Sequence, residues 1–408
     1  MRFKTGLFIL TGLSLAAAVY SEPGHVDSKT RPMQIELQVV RVFDPLLPVL
    51  SDQDLQQVLQ SSREVIEHKL GRDVTLSFVD AGKVDLDAFF HSVSYQEDRV
   101  FKMIKHWRHR PELADQDPLL HSSRFRKTAI AFLKHYKIEK LQGFFPDQPI
   151  HNYNQAFAAL HQTYNKKIQW LKQRTNNRGQ LVWRQKPGQS YVHWLGLMHA
   201  QKKYDIVITN SLIVFDLMSE PYPHSIAKHA KVGGSSFSSP ARMALGGRSL
   251  LVNIIEEYGQ IEGVSKQRSI KRSLRNQMLG GFLLAHEFGH AFYLLPDFYD
   301  HPADCLMNSA MENMDALAGY RLLLNNNQPC KQCYPWVKSK RLVLHAEQSL
   351  AGQNYLQAGR LFEAAIRGVP SRIDGSRRHY IQGLREKAIA AYLQAGHNAE
   401  ALRLESEK

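Results

Sequence analysis

The sequence predicts an α+β protein with a sheet-forming first part, a helical insertion, one buried helix near residue 285 and an all-α end. Three observations predict it. Residues 34–43 alternate apolar and polar with a period of two, and residues 73–79 and 204–209 are further strand-like runs rich in Val, Ile and Thr. From about residue 85 to 200 the chain is basic, aromatic-rich and broken at Pro111, Pro118, Pro146 and Pro149, too long for a connection and therefore a helical insertion. From residue 342 onward, apolar residues recur at helical spacing on either side of breaks at Gly352 and Gly396.

In chain order, the first 21 residues carry Arg2 and Lys4, an apolar stretch from Gly6 to Val19, and Val19-Tyr20-Ser21 before Glu22. That is the pattern of a secretory signal peptide, too short an apolar run to favour an uncleaved membrane anchor, so a secreted or periplasmic location is expected. Ser51-Asp52-Gln53-Asp54 caps a helix reaching about Leu70, giving a strand–helix–strand opening. Another strand is expected at 249–255, after a Gly- and Ser-rich stretch around residue 234. The expected units are 1–21, 22–341 and 342–408. The last resembles tetratricopeptide-type helical hairpins, with too few units for a complete solenoid; it is either a plain appendage or a dock for a protein partner.

The net charge of +14 favours anionic partners such as an envelope surface or acidic peptides. Residues 102–110 mix Lys, Arg, His and Trp, but no nucleic-acid motif accompanies them, and they read as an amphipathic helix with a solvated basic face.

The chemistry is concentrated in His286-Glu287-Phe288-Gly289-His290. On a helix this spacing puts two imidazoles one turn apart on one face, with a carboxylate beside them able to work on a metal-bound water. The apolar run 278–284 makes the helix a buried one. Burying two histidines and a glutamate is costly unless a metal and ordered partners compensate. Pro296 stops the helix soon after His290.

The following residues, Leu295-Pro296-Asp297-Phe298-Tyr299 and Cys305-Leu306-Met307-Asn308, resemble the metzincin clan of zinc peptidases. The Leu-Pro-Asp-x-Tyr form is similar to snapalysin and the immune-inhibitor-A type. The resemblance implies a twisted mixed sheet with an active-site helix, a catalytic zinc on His286, His290 and Asp297, Glu287 as general base for a zinc-bound water, and Met307 as the Met-turn. Two departures stand out: the clan glycine after the second histidine is missing, and Asp297 is one residue further from His286 than the clan spacing. His301 is the alternative third ligand. A further resemblance, to archaemetzincins, runs through Cys305-Leu306-Met307-Asn308 and Cys330-Lys331-Gln332-Cys333. It implies a second, structural zinc on Cys305, Cys330 and Cys333, with Phe298 standing where that family has its fourth cysteine. His301 or Asp300 would complete the set. The alternative is a Cys330–Cys333 disulfide.

A third ligand from Glu312 on a later helix, with Asp315 one turn on, is the gluzincin arrangement, and the short Pro-Asp turn and the Cys-x-Met element argue against it. In metzincins an edge strand bordering the cleft holds substrate by strand addition, and residues 233–247 are the expected place for it. Tyr293 and Tyr299 are the nearest candidates for stabilising an oxyanion. The expected function is zinc-dependent hydrolysis of peptide bonds in proteins or peptides. The alternative is an envelope binding or assembly protein with a structural metzincin-like core and a partner-docking tail.

Overall fold

The computed structural model describes residues 33–92, 123–173, 201–214, 231–245, 276–308 and 323–407, with short breaks inside these stretches, and isolated positions between 182 and 198. The expected signal segment, the basic run 102–110, the strand 249–255, the residues 297–300, Glu312 and Asp315 lie outside the described residues.

The opening is strand–helix–strand: β1 (Met33–Phe43), α1 (Asp52–Leu70) and β2 (Val74–Asp85). Ser51 Oγ accepts the Asp54 backbone N–H at 3.2 Å, supplying one of the bonds that a helix start leaves unmade. With β3 (Ile206–Thr209), β4 (Gly234–Ser238) and β5 (Ala241–Leu245) these strands form one mixed sheet in the order β2-β1-β3-β5-β4. Neighbours are parallel except β4, which runs antiparallel to β5 and, among the described residues, forms one edge. Among the described residues β4 is an edge strand, and it lies within the 233–247 range expected for one.

Strand β1 shows how the sheet divides two cores. Ile35, Leu37 and Val39 face a cluster shared with α1 and the His-bearing helix, while Val40 and Val42 face a second cluster with Phe89 and Trp194. The two sets are the odd and even positions of one strand, so alternation alone sends them to opposite faces, and a register shift in the pairing with β2 falls between Val39 and Arg41. Arg41, 5% exposed, pairs with Asp52 and with Asp80 at 2.7 Å, so its charge is buried with partners.

The described part of the insertion holds α2 (Leu86–Ser92), α3 (Ser123–Leu133), α4 (Ile138–Phe144) and α5 (Tyr153–Gln173). It is not wholly helical: two-residue strands pair between 182 and 190, and 189–190 continues to 213–214 and 231–232. A π-helical turn, Leu279–Leu284, then runs unbroken into α6 (Ala285–Tyr293).

The tail is four antiparallel-connected helices: α7 (Tyr334–Ala351), α8 (Tyr355–Arg367), α9 (Gly375–Gln394) and α10 (Asn398–Ser406). Asn354 caps α8 through its side chain, and Gly359 is needed because a Cβ there would lie 2.9 Å from the Tyr392 ring. Helix α7 spans the boundary expected at 341–342. Its Trp336, Val337 and Leu344 belong to the core around α6, whereas Val343 and Ala346 pack with the tail helices. No helix among the described residues is long and apolar enough to cross a membrane.

Candidate metal centres

Helix α6 buries Ala285, Phe288, Ala291 and Phe292, a spacing that fixes one face of the helix on the core. Each fully buried phenylalanine contributes about 1.5–3 kcal/mol to holding it there. The π turn ahead of it packs directly on α1. A Cβ at Gly280 would lie 1.8 Å from the Val58 carbonyl oxygen, so only glycine permits the contact. Such widened turns recur at functional sites.

His286 and His290 point their Nε2 atoms at each other, 2.9 Å apart. Each Nδ1 meets a backbone carbonyl: Leu306 at 2.9 Å for His286, and Leu295 at 2.6 Å for His290. A carbonyl can only accept, so both Nδ1 atoms carry the proton and a neutral ring presents a bare Nε2. Two facing lone pairs at this distance repel unless a cation or proton is shared between them. Glu287, between them in sequence, is 6% exposed.

The helix end creates the second of those contacts. Leu294 is left-handed at φ 57°, and its N–H returns to the His290 carbonyl while that of Leu295 returns to Gly289. This is the closure a glycine usually makes, so the sequence pays about 1 kcal/mol in leucine strain to turn the Leu295 carbonyl onto His290. The helix thus ends at Tyr293, by this cap, before Pro296 is reached. Tyr293, a candidate for the oxyanion, is 2% exposed, with its ring 5.0 Å from that of Phe292.

Below the helix lies the turn 305–308, closed by Cys305 N–H to Pro302 and Asn308 N–H to Cys305. Its residues serve different ends. Cys305 Sγ enters the sulfur cluster, the Leu306 carbonyl holds His286, and Met307, fully buried, lies under Gly289, where a Cβ would be 2.8 Å from its sulfur. Asn308 Nδ2 donates to the carbonyls of His301 and Pro302, fixing the loop before it.

His301, Cys305, Cys330 and Cys333 form a group able to hold a metal ion, with donor atoms all within 4.8 Å of one another. His301 Nδ1 is 3.3 Å from Cys330 Sγ, 3.6 Å from Cys305 Sγ and 3.7 Å from Cys333 Sγ, and the sulfurs of Cys305 and Cys333 are 3.8 Å apart. All three cysteines are free in this structure. His301 Nε2 is 2.8 Å from the Pro296 carbonyl and must donate to it, leaving Nδ1 to face the sulfurs. Both nitrogens of His301 are thus engaged away from the His286–His290 pair. The Met307 N–H points at Cys305 Sγ at 3.4 Å, and a turn from Cys330 to Cys333 brings the other two sulfurs in. Cys305 and Cys333 are buried, while Cys330 borders a cleft of about 400 Å³.

With no ion present the four groups share protons. Burial opposes charge on His301, but its contacts with the Cys305 and Cys330 sulfurs outweigh it and hold the imidazole up at about 9. Hydrogen bonds from Cys305 and Cys333 hold Cys330 far below the usual thiol range, and the same contacts with burial push Cys333 well above it. One thiolate at least is stabilised before any metal arrives.

Sequence reasoning missed the Leu295, Pro296 and Leu306 carbonyls, because a backbone acceptor leaves no mark in residue type. It also missed Lys340, whose Nζ lies 4.5 Å from the Phe292 ring and which burial pulls down to about 8. No family model, curated protein or solved structure matches the chain closely enough to establish kinship.

Proposed function

We propose that this chain is a zinc-dependent peptidase of metzincin-like design with two metal centres. The observation that carries it is the His286–His290 pair: two bare Nε2 atoms 2.9 Å apart, each ring locked from behind by a backbone carbonyl. Nitrogens bound to one tetrahedral zinc at about 2.0–2.1 Å would lie roughly 3.3 Å apart, so the pair need open by only a few tenths of an ångström.

When bound, zinc supplies a Lewis acid that activates water and polarises the scissile carbonyl. Asp297, directly after the Pro296 that closes the described turn, is our third ligand. Glu287 takes the proton from the attacking water and delivers it to the leaving amine; its burial beside the pair favours a carboxylate reserved for such exchange. Edge strand β4 lies against α6 and offers main-chain groups to an extended peptide.

The sulfur cluster fits a structural zinc. Zinc–sulfur bonds of about 2.3 Å at tetrahedral angles set sulfurs about 3.75 Å apart and a sulfur and nitrogen about 3.5–3.6 Å apart. The observed 3.8 Å and 3.3–3.7 Å are those separations before any ion is added. His301 takes the fourth place, where the resembling family has a cysteine.

The test is peptide-library cleavage with metal analysis for wild type and Glu287→Gln. We expect hydrolysis to fall by about 10²–10⁴-fold in the variant with metal content unchanged. Equal turnover by both proteins would remove Glu287 from the mechanism, and no cleavage by metal-loaded wild type would favour the binding-protein alternative.

A further inference from the structure

Lys69, in the last turn of α1, is a lysine in the wrong place for a solvated charge. It is 2% exposed, and its Nζ has no hydrogen-bond partner among the described residues. Lysine is almost never buried so completely unless something compensates its charge. The end of α1 is pressed against the cysteine-bearing region: Leu70 shares a core cluster with Cys305 and Cys333, and Arg341, on the helix that follows Cys333, donates to the Leu70 carbonyl at 3.0 Å. Burial pulls the Lys69 ammonium down, and the groups opposing that pull are Asp304, Cys305 and Cys330.

The charge balance explains the placement. A divalent ion, three thiolates and a neutral imidazole leave one net negative charge, and two of the sulfurs are buried. A buried net charge is expensive in a low-dielectric core, and one cation at short range offsets it. We propose that Lys69 is the counter-charge of the His301–Cys305–Cys330–Cys333 centre, a positioning residue that sets how tightly this centre holds its metal. The inference rests on the second metal centre proposed above and extends it to a residue outside the ligand set.

Full-length protein is stripped of metal and titrated with Co²⁺, whose thiolate charge-transfer absorption reports on the sulfur centre alone, since His286 and His290 bring no sulfur. Lys69→Met, near in length and uncharged, should bind about 10–100-fold more weakly than wild type, the range for loss of an outer partner of a metal ligand. Lys69→Gln should weaken binding likewise, and Lys69→Arg should recover to within about threefold. Asp304→Asn should bind at least as tightly as wild type, because it removes a competing anion. Melting temperatures separate counter-charge from packing: Lys69→Met should melt no lower than wild type without metal and lower with it. Affinity within about threefold of wild type in Lys69→Met, an equal loss in Asp304→Asn, or a lower melting point confined to the metal-free form would each overturn the role of Lys69. Absence of the charge-transfer band in wild type would instead overturn the metal centre, and this role with it.

Discussion

The His286–His290 pair and the His301–Cys305–Cys330–Cys333 group sit in one core but are enclosed to different degrees. The first presents two nitrogens on one helix face, on rings that are each half-buried. The second gathers four donors from two segments, three of them buried and Cys330 at the edge of a cleft that His301 and Cys305 also line. Catalytic zinc sites keep a position open and structural ones are closed. Under the proposed function the contrast gives chemistry to the first and cohesion to the second, and it says where each should break.

The largest effect expected is from Cys333→Ser, the most buried of the sulfurs. It should lose one metal per chain and cost about 4–5 kcal/mol or more in metal-replete unfolding, the range reserved for lost metals and disulfides. His286→Ala should also lose one metal, but the other one, abolishing cleavage while changing stability by about 1–2 kcal/mol. Should the two variants destabilise equally, the division between open and closed centres would be wrong.

Smaller effects sharpen the link between the centres. Gly289→Ala forces a Cβ to within 2.8 Å of Met307 sulfur and should cost about 1–3 kcal/mol in thermal unfolding, with weakened cleavage because both histidines ride on that helix. The smallest change concerns Leu294. Leu294→Val places a β-branched residue at φ 57° and should destabilise by about 1–2 kcal/mol, while Leu294→Gly should stay within about 1 kcal/mol of wild type, relief of strain offsetting lost packing. A stable Leu294→Val with normal cleavage would show that the left-handed cap does not position His290.

What could be read beforehand divides by the kind of information involved. The His-Glu-x-x-His helix, the strand–helix–strand opening and the convergence of His301 with three cysteines depend on residue type and spacing, which are written in the chain. The orientation of His286 and His290 depends on carbonyls of Leu306 and Leu295, which any residue would supply. Leu294 in a glycine conformation contradicts its local preference and is imposed by the surrounding packing. Lys69 looked like an ordinary basic residue at a helix end; only the fold shows that it is buried where α1 ends against the cysteine-bearing region. Helix α7 hid the expected boundary at 341–342 because a continuous helical pattern gives no hint that its two ends serve different cores.

The π turn at Leu279–Leu284 has a consequence for phase. A helix advances about 100° per residue, and a widened turn takes in one residue more than an α-turn would. Rewinding these residues as an ordinary α-helix, with none removed, would rotate everything after them by roughly that angle. His286 and His290 would swing off their carbonyls, and Phe288 and Phe292 would swing out of the core, although no residue of the motif had been touched. The six residues before the motif are thus its timing element, and Gly280 is where they are held against α1.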